Sequence, residues 1–278
     1  MSNLFAILDR ELTLTRYWPS AALTLEPRLS SKWITNISFF GCIISLPLPS
    51  ASFYILNSQL YQPTPPFLST MIENILPSVQ TKIHFSKGLL SSSGLVQHCT
   101  ALALTKCLVK YQAVDAQLRK VSIALEEDEE DGQWSKRRRE LEREVRRRVP
   151  DFQVVVAFSH QKHPHVPGES TLQSNPTKTA LLAESAQRLL WLYHRSLPSI
   201  VAEARFEFGK LLQTFTTEGG SSDQATDTAS RLYRVQQLHI LKLLNESDQF
   251  LWTSKIGMFI SFDIKQPQLT LHCRIVGA

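Results

Sequence analysis

Between Gln133 and Pro150 the chain reads QWSKRRRELEREVRRRVP. Lys136, Arg137, Arg138, Arg139, Arg143, Arg146, Arg147 and Arg148 crowd their positive charges into less than four helical turns. Guanidinium and ammonium groups at this density suit contacts with phosphate, and Trp134 beside them offers a ring that can stack on a base or on a guanidinium. The opposing reading is electrostatic self-compensation. The acidic stretch EEDEED (126–131) precedes the run, and Glu140, Glu142 and Glu144 interleave it. From Glu126 to Arg148 nine acidic residues meet eight basic ones, a sum of −1, so with +5 on the whole chain the remainder carries +6. The screening length is ~10 Å at 0.1 M salt, so acids this close stay coupled to the arginines. The segment is thus a candidate RNA- or partner-binding surface, with a solvated, self-compensated helix face as the alternative.

Other chemistry is sparse. His160, His163 and His165 could ligate a metal, but Pro164 and Pro167 make the stretch a loop, and no cysteine stands near to complete a zinc set. No metal site is expected. Cys42, Cys99, Cys107 and Cys273 form no paired spacing, which points to a reducing compartment, cytosol or nucleus. Phosphate-cradling and nucleophile-elbow motifs are missing, and outside Gly219–Gly220 no glycines cluster. No enzyme, catalytic residue, cofactor or small-molecule substrate is expected. The most apolar run, ISFFGCIISLPL, is shorter than the ~20 residues a membrane span needs and is broken by Pro47.

Elements that could hold the basic segment are helical by period. Trp33, Ile34, Ile37, Phe40, Gly41 and Ile44 recur at helical spacing before Pro47. QPTPPF reads as a connection, and STMIENIL and SVQTKIHFSKGLL as short helices around Pro77, each with a serine as N-cap. From Leu95 to Tyr111 apolar residues occupy nearly every side, which predicts a helix buried all round, continuing weakly through VDAQLRKVSIAL. Trp134, Leu141, Val145 and Val149 make a narrow stripe on the basic segment. Glu142 with Arg146 and Glu144 with Arg148 have the favourable spacing of four. DFQVVVAFSHQ, with Asp151 as a candidate cap, suits helix or strand. Asn175–Pro176 starts an amphipathic helix through Leu181, Leu182, Ala186, Leu189, Leu190 and Tyr193. A further helix follows Pro198 and carries Val201, Ala204, Phe208, Leu211 and Phe215. The last carries Ala229, Leu232, Tyr233, Ile240, Leu243 and Leu244 on one face.

The expected fold is all-α, with eight to ten helices arranged as an α-solenoid, an armadillo- or HEAT-like superhelix of degenerate repeats. The helical domain spans 1–256, with an acidic linker at 126–133 and loops at 160–176 and 216–226. MFISFDIKQPQLTLHCRIVGA alternates instead, so 257–278 forms an atypical tail, a hairpin or an unstructured extension.

Five segments in order, LEPRLSSKWITNISFFG, ENILPSVQTKIHFSKGL, LVQHCTALALTKCLVKY, WSKRRRELEREVRRRVPDFQVVVAFS and NPTKTALLAESAQRLLWLYHRSLP, resemble the N-terminal region of the nucleolar pre-ribosomal-associated protein family. The resemblance covers roughly Leu25 to Lys255 and is that of a fragment of much longer chains. It implies a helical-repeat scaffold in the nucleolus, acting in assembly of the large ribosomal subunit and rRNA processing. Pre-ribosomal RNA and early assembly factors, including an RNA helicase, are the implied partners, with no membrane. It carries over no catalytic residue. The competing readings are a protein-binding α-solenoid without RNA contact and, third, an enzyme.

Overall fold

The computed structural model describes residues 25–48, 52–55, 58–77, 81–160, 176–204, 206 and 227–247. Among these the secondary structure is all helical apart from one isolated antiparallel bridge between Tyr54 and Tyr61. The helices are α1 (Ser31–Ile44), α2 (Leu68–Ile75), α3 (Thr81–Leu89), α4 (Gly94–Ala124), α5 (Gln133–Arg148), α6 (Phe152–His160), α7 (Pro176–Ser196), α8 (Pro198–Glu203) and α9 (Asp227–Glu246). The expected tail at 257–278, the loop at 216–226, and Phe208, Leu211 and Phe215 of the helix expected after Pro198 lie outside the described residues, as does 161–175 of the loop expected at 160–176.

α1 begins where Ser30 accepts the backbone N–H of Trp33 at 3.2 Å, satisfying one of the helix's free donors. Trp33, Ile37, Phe40 and Ile44 then fall on one face and are buried, as their spacing requires. α2 differs from expectation: its N-cap is Phe67, so the serine at 69 sits inside the first turn and caps nothing. The ambiguous run after Asp151 is a helix, and the Asp151 carboxylate meets Lys82 of α3 at 2.7 Å.

α4 is the hub. It packs against α1, α2, α3, α5 and α7, while α7 in turn carries α6, α8 and α9. The weak continuation after Tyr111 is no separate element; α4 runs unbroken for 31 residues. Val96, Leu104, Cys107, Leu108, Leu118 and Val121 are 0–1% exposed. Burying each such aliphatic side chain contributes about 1.5–3 kcal/mol. One part of the sequence reading is overturned here. α4 is not buried all round, because Leu95, Leu102 and Val109 lie at a side on which none of the described helices packs and stay 39–50% exposed.

Aromatic contacts join the layers. Phe40 of α1 meets Phe85 of α3 edge-on at 6.2 Å. Phe152 of α6 meets Tyr193 of α7 at 6.0 Å, and the Tyr193 hydroxyl donates to the Pro150 carbonyl at 3.0 Å. Lys110, largely buried in α4, donates to the Leu46 carbonyl just past α1, and burial lowers its pKa.

Candidate nucleic-acid interface

The acidic stretch and the basic helix form one local unit. α4 ends as Glu126 takes φ 52°, a left-handed residue that reverses the chain. Asp128 Oδ1 then accepts the backbone N–H groups of Glu130 at 2.7 Å and Asp131 at 3.0 Å, and these bonds lower its pKa. Gly132 passes so close that a Cβ there would stand 2.6 Å from the Asp128 carbonyl oxygen and from the Glu127 carboxylate, so this turn requires glycine. Glu127 Oε2 accepts the Trp134 N–H at 2.9 Å. A carboxylate at a helix N-terminus satisfies a free donor and meets the positive end of the helix dipole. The predicted linker is therefore an N-terminal clasp for α5. Arg139 closes it by donating to the carbonyls of Glu129 and Glu130.

The narrow stripe seats α5 as its spacing predicts: Trp134, Leu141 and Val145 are 0% exposed, and Val149 is 1%. Trp134 packs beside Phe53 with ring centroids 6.3 Å apart. This corrects the expectation that Trp134 stacks on a base; a fully buried indole presents no face to a ligand.

The structure divides the cations. Those on the flanks anchor the helix: Arg138 to Asp115 of α4 at 2.7 Å, Arg146 to Glu203 of α8 at 2.6 Å, and Arg148 to Glu73 of α2 at 3.3 Å and to the Leu76 carbonyl at 2.7 Å. The expected Glu142–Arg146 and Glu144–Arg148 pairs do not form. Tertiary acids capture both arginines, while Glu144 takes Arg147 at 2.7 Å and Glu142 accepts Ser199 at 3.4 Å. Arg137 pairs with Glu140 at 3.3 Å. Lys136, Arg139, Arg143 and Arg147 remain on the outer face, all exposed and spaced three, four and four residues apart, so they form one row. Lys136 meets Asp131 at 3.1 Å, an acid that is itself 87% exposed. Exposed pairs of this kind contribute about 0–1 kcal/mol, little enough for a phosphate to replace them. The KRRR run is part of the folded helix.

His160 ends α6, and the two histidines expected beside it, His163 and His165, lie outside the described residues. A different polar cluster went unseen in the sequence. Glu184 of α7 is 1% exposed and accepts Arg188 Nε at 2.8 Å and His239 Nε2 of α9 at 3.1 Å. Trp191 stacks on His239 at 5.7 Å, with Lys242 Nζ 4.7 Å from its ring centre. This cluster joins α7 to α9, and its local signal was a carboxylate four residues before an arginine in an otherwise apolar run. Among the described residues no helix is long and apolar enough to cross a membrane.

No family model matches the chain, and no solved structure matches it. The chain is similar to nucleolar pre-ribosomal-associated protein 1 of Mus musculus, 26% identical over 261 residues, and to that of Homo sapiens, 26% identical over 265 residues. Each alignment covers 86% of this chain and 11% of the relative, so the chain spans about a tenth of the length of these curated relatives. The resemblance read from the five ordered segments is to these proteins.

Proposed function

We propose that this chain is a non-enzymatic scaffold segment in nucleolar assembly of the large ribosomal subunit and in pre-rRNA processing. In this reading it holds pre-ribosomal RNA on the outer row of α5, and early assembly factors, an RNA helicase among them, on its other faces. The observation that carries it is the similarity, along most of the chain, to mouse and human proteins named for nucleolar association with pre-ribosomes. The fold proposed with it is an armadillo- or HEAT-like superhelix of degenerate repeats. The α5 row supplies the chemistry: four exposed cations on a rigid helix, fixed from behind by Trp134, Leu141 and Val145. Phosphates binding there would displace weak surface pairs and release counterions.

Mapping RNA crosslinks on the tagged full-length protein in cells tests this. Changing Lys136, Arg139, Arg143 and Arg147 together to serine keeps the inward anchors Arg138, Arg146 and Arg148. Besides weak surface pairs it gives up only the Arg139 bonds to the clasp, so an unchanged far-UV circular dichroism spectrum accompanies the test. The expected result is loss of crosslinks to large-subunit precursor RNA. In vitro, the slope of log affinity against log salt for single-stranded RNA falls by about 3. Crosslinks that persist would move the RNA contact off α5, and a protein absent from precursor particles would overturn the scaffold itself. The second reading, a protein-binding α-solenoid without RNA, draws on the ion pairs that tie Arg138, Arg146 and Arg148 inward. Salt-insensitive partner binding with no RNA crosslinks would select it.

A further inference from the structure

Along α4, Leu95, Leu102, Val109, Ala116 and Ile123 recur every seven residues, and all five face solvent. Their exposure is substantial: 47% for Leu95, 39% for Leu102, 50% for Val109 and 67% for Ile123. Seven residues turn a helix by about 700°, only 20° short of two full turns. Over four such steps the five side chains form one row about 42 Å long that drifts by about 80°, a drift that a left-handed supercoil follows. Single exposed apolar residues are ordinary, but one exposed apolar position in every heptad, joined by exposed Ala113 between Val109 and Ala116, supplies half of a seam on which another helix can pack.

Along α4 itself basic residues outnumber acids, and the acidic turn at 126–131 follows only past its C-terminal end. α4 carries Lys106, Lys110, Arg119 and Lys120 against the single carboxylate of Asp115. Asp115 is held by Arg138, and Lys110 is turned inward to the Leu46 carbonyl. At its C-terminal end the row enters an open cleft of about 550 Å³ between α4 and the end of α7. Ala116 and Ile123 line that cleft together with Asp115, Arg119, Lys120 and Arg195, the last of which also meets Glu246 of α9 at 3.9 Å.

We propose that this face docks an acidic amphipathic α-helix of a partner protein. Its apolar residues, repeating every seven, seat on the row, and its carboxylates meet Arg119, Lys120 and Arg195. Knobs-into-holes packing at a crossing angle of about 20° is the geometry this period allows. Nucleic acid fits the site less well. Single strands draw affinity from stacking bases on open rings, and the one aromatic residue lining the cleft, Tyr111, is 3% exposed. The face shares no residue with the α5 row, so the proposal stands apart from the RNA reading.

Fluorescence anisotropy on the whole chain tests it with two labelled four-heptad peptides, both with leucine at the seam. One carries glutamate at the flanking positions and the other lysine. The glutamate peptide binds and the lysine peptide does not. Val109→Ser and Lys120→Glu each weaken binding by about fivefold to tenfold with an unchanged far-UV circular dichroism spectrum. Lys178→Glu, at the other end of α7, leaves it unchanged. Equal binding of both peptides, an effect of Lys178→Glu as large as that of Lys120→Glu, or no effect of Val109→Ser overturns the proposal. Displacement of the peptide by single-stranded RNA whose own affinity is lost in Lys120→Glu reassigns the face to nucleic acid. A dimer in sedimentation velocity that Val109→Ser disperses reassigns it to a second copy. Either reassignment overturns the partner helix.

Discussion

Glu184 is a carboxylate held in the interior by two donors from different places in the chain. Burial opposes its charge, and the hydrogen bonds from His239 and Arg188 outweigh that opposition, so its pKa is lowered from the ordinary 4.5. A carboxylate whose folded pKa is lowered adds stability above its unfolded pKa and loses that contribution as pH falls through the folded value. Between pH 6 and pH 3, urea-melt stability of the native chain should therefore fall more steeply than that of Glu184→Gln. At neutral pH the same variant should be about 2 kcal/mol less stable, since it weakens hydrogen bonds to a charged group. Sequence periodicity did not disclose this site because His239 is 55 residues away and α7 buries two faces, one toward α4 and one toward α9.

Helix α5 shows at the level of the element what periodicity can and cannot disclose. Its seam of Trp134, Leu141 and Val145 was legible because burial of a surface helix follows the 3.6-residue period. Which arginines face outward was not legible, since Asp115, Glu203 and Glu73, which turn three of them aside, come from other helices. For the same reason the local pairs expected from spacing of four lost to tertiary partners. Trp134 was misread because an aromatic residue beside arginines looks the same in sequence whether it stacks or anchors. The α3–α4 contact makes a second point about elements. A Cβ on Gly88 would lie 2.3 Å from Thr100 Oγ1 and 2.9 Å from its Cβ. Gly88→Ala should then lose about 1–3 kcal/mol of stability in urea melts, as overpacked sites do. Adding Thr100→Ala should restore part of it, because the nearest atoms, Oγ1 and Cγ2, are removed while the threonine Cβ remains.

Across the whole molecule the all-helical class was legible because nearly every segment carries a helical period, with few glycines to interrupt it. The hub role of α4 was not, since it depends on which face each neighbour takes. Cysteine chemistry reports on that arrangement. Cys107, on the inward side of the hub, is 0% exposed, and burial pushes its thiol pKa well up. Cys42 of α1 is exposed. Iodoacetamide followed by peptide mass spectrometry should alkylate Cys42 in the native chain and reach Cys107 only after denaturant is added. Early labelling of Cys107 would mean that α4 opens locally without global unfolding.

The unbroken length of α4 also constrains how this segment can vary by insertion and deletion. One residue gained or lost inside it turns everything downstream by 100°, which would swing Leu118 and Val121 out of the core while Leu104 and Cys107 stayed in. Losing seven residues shifts the phase by only 20°, so the faces stay aligned in rotation. A heptad lost still draws everything downstream back by about 10.5 Å, so length changes within 94–124 should be rejected by ones outright and by sevens unless the helices packed on α4 shorten with it.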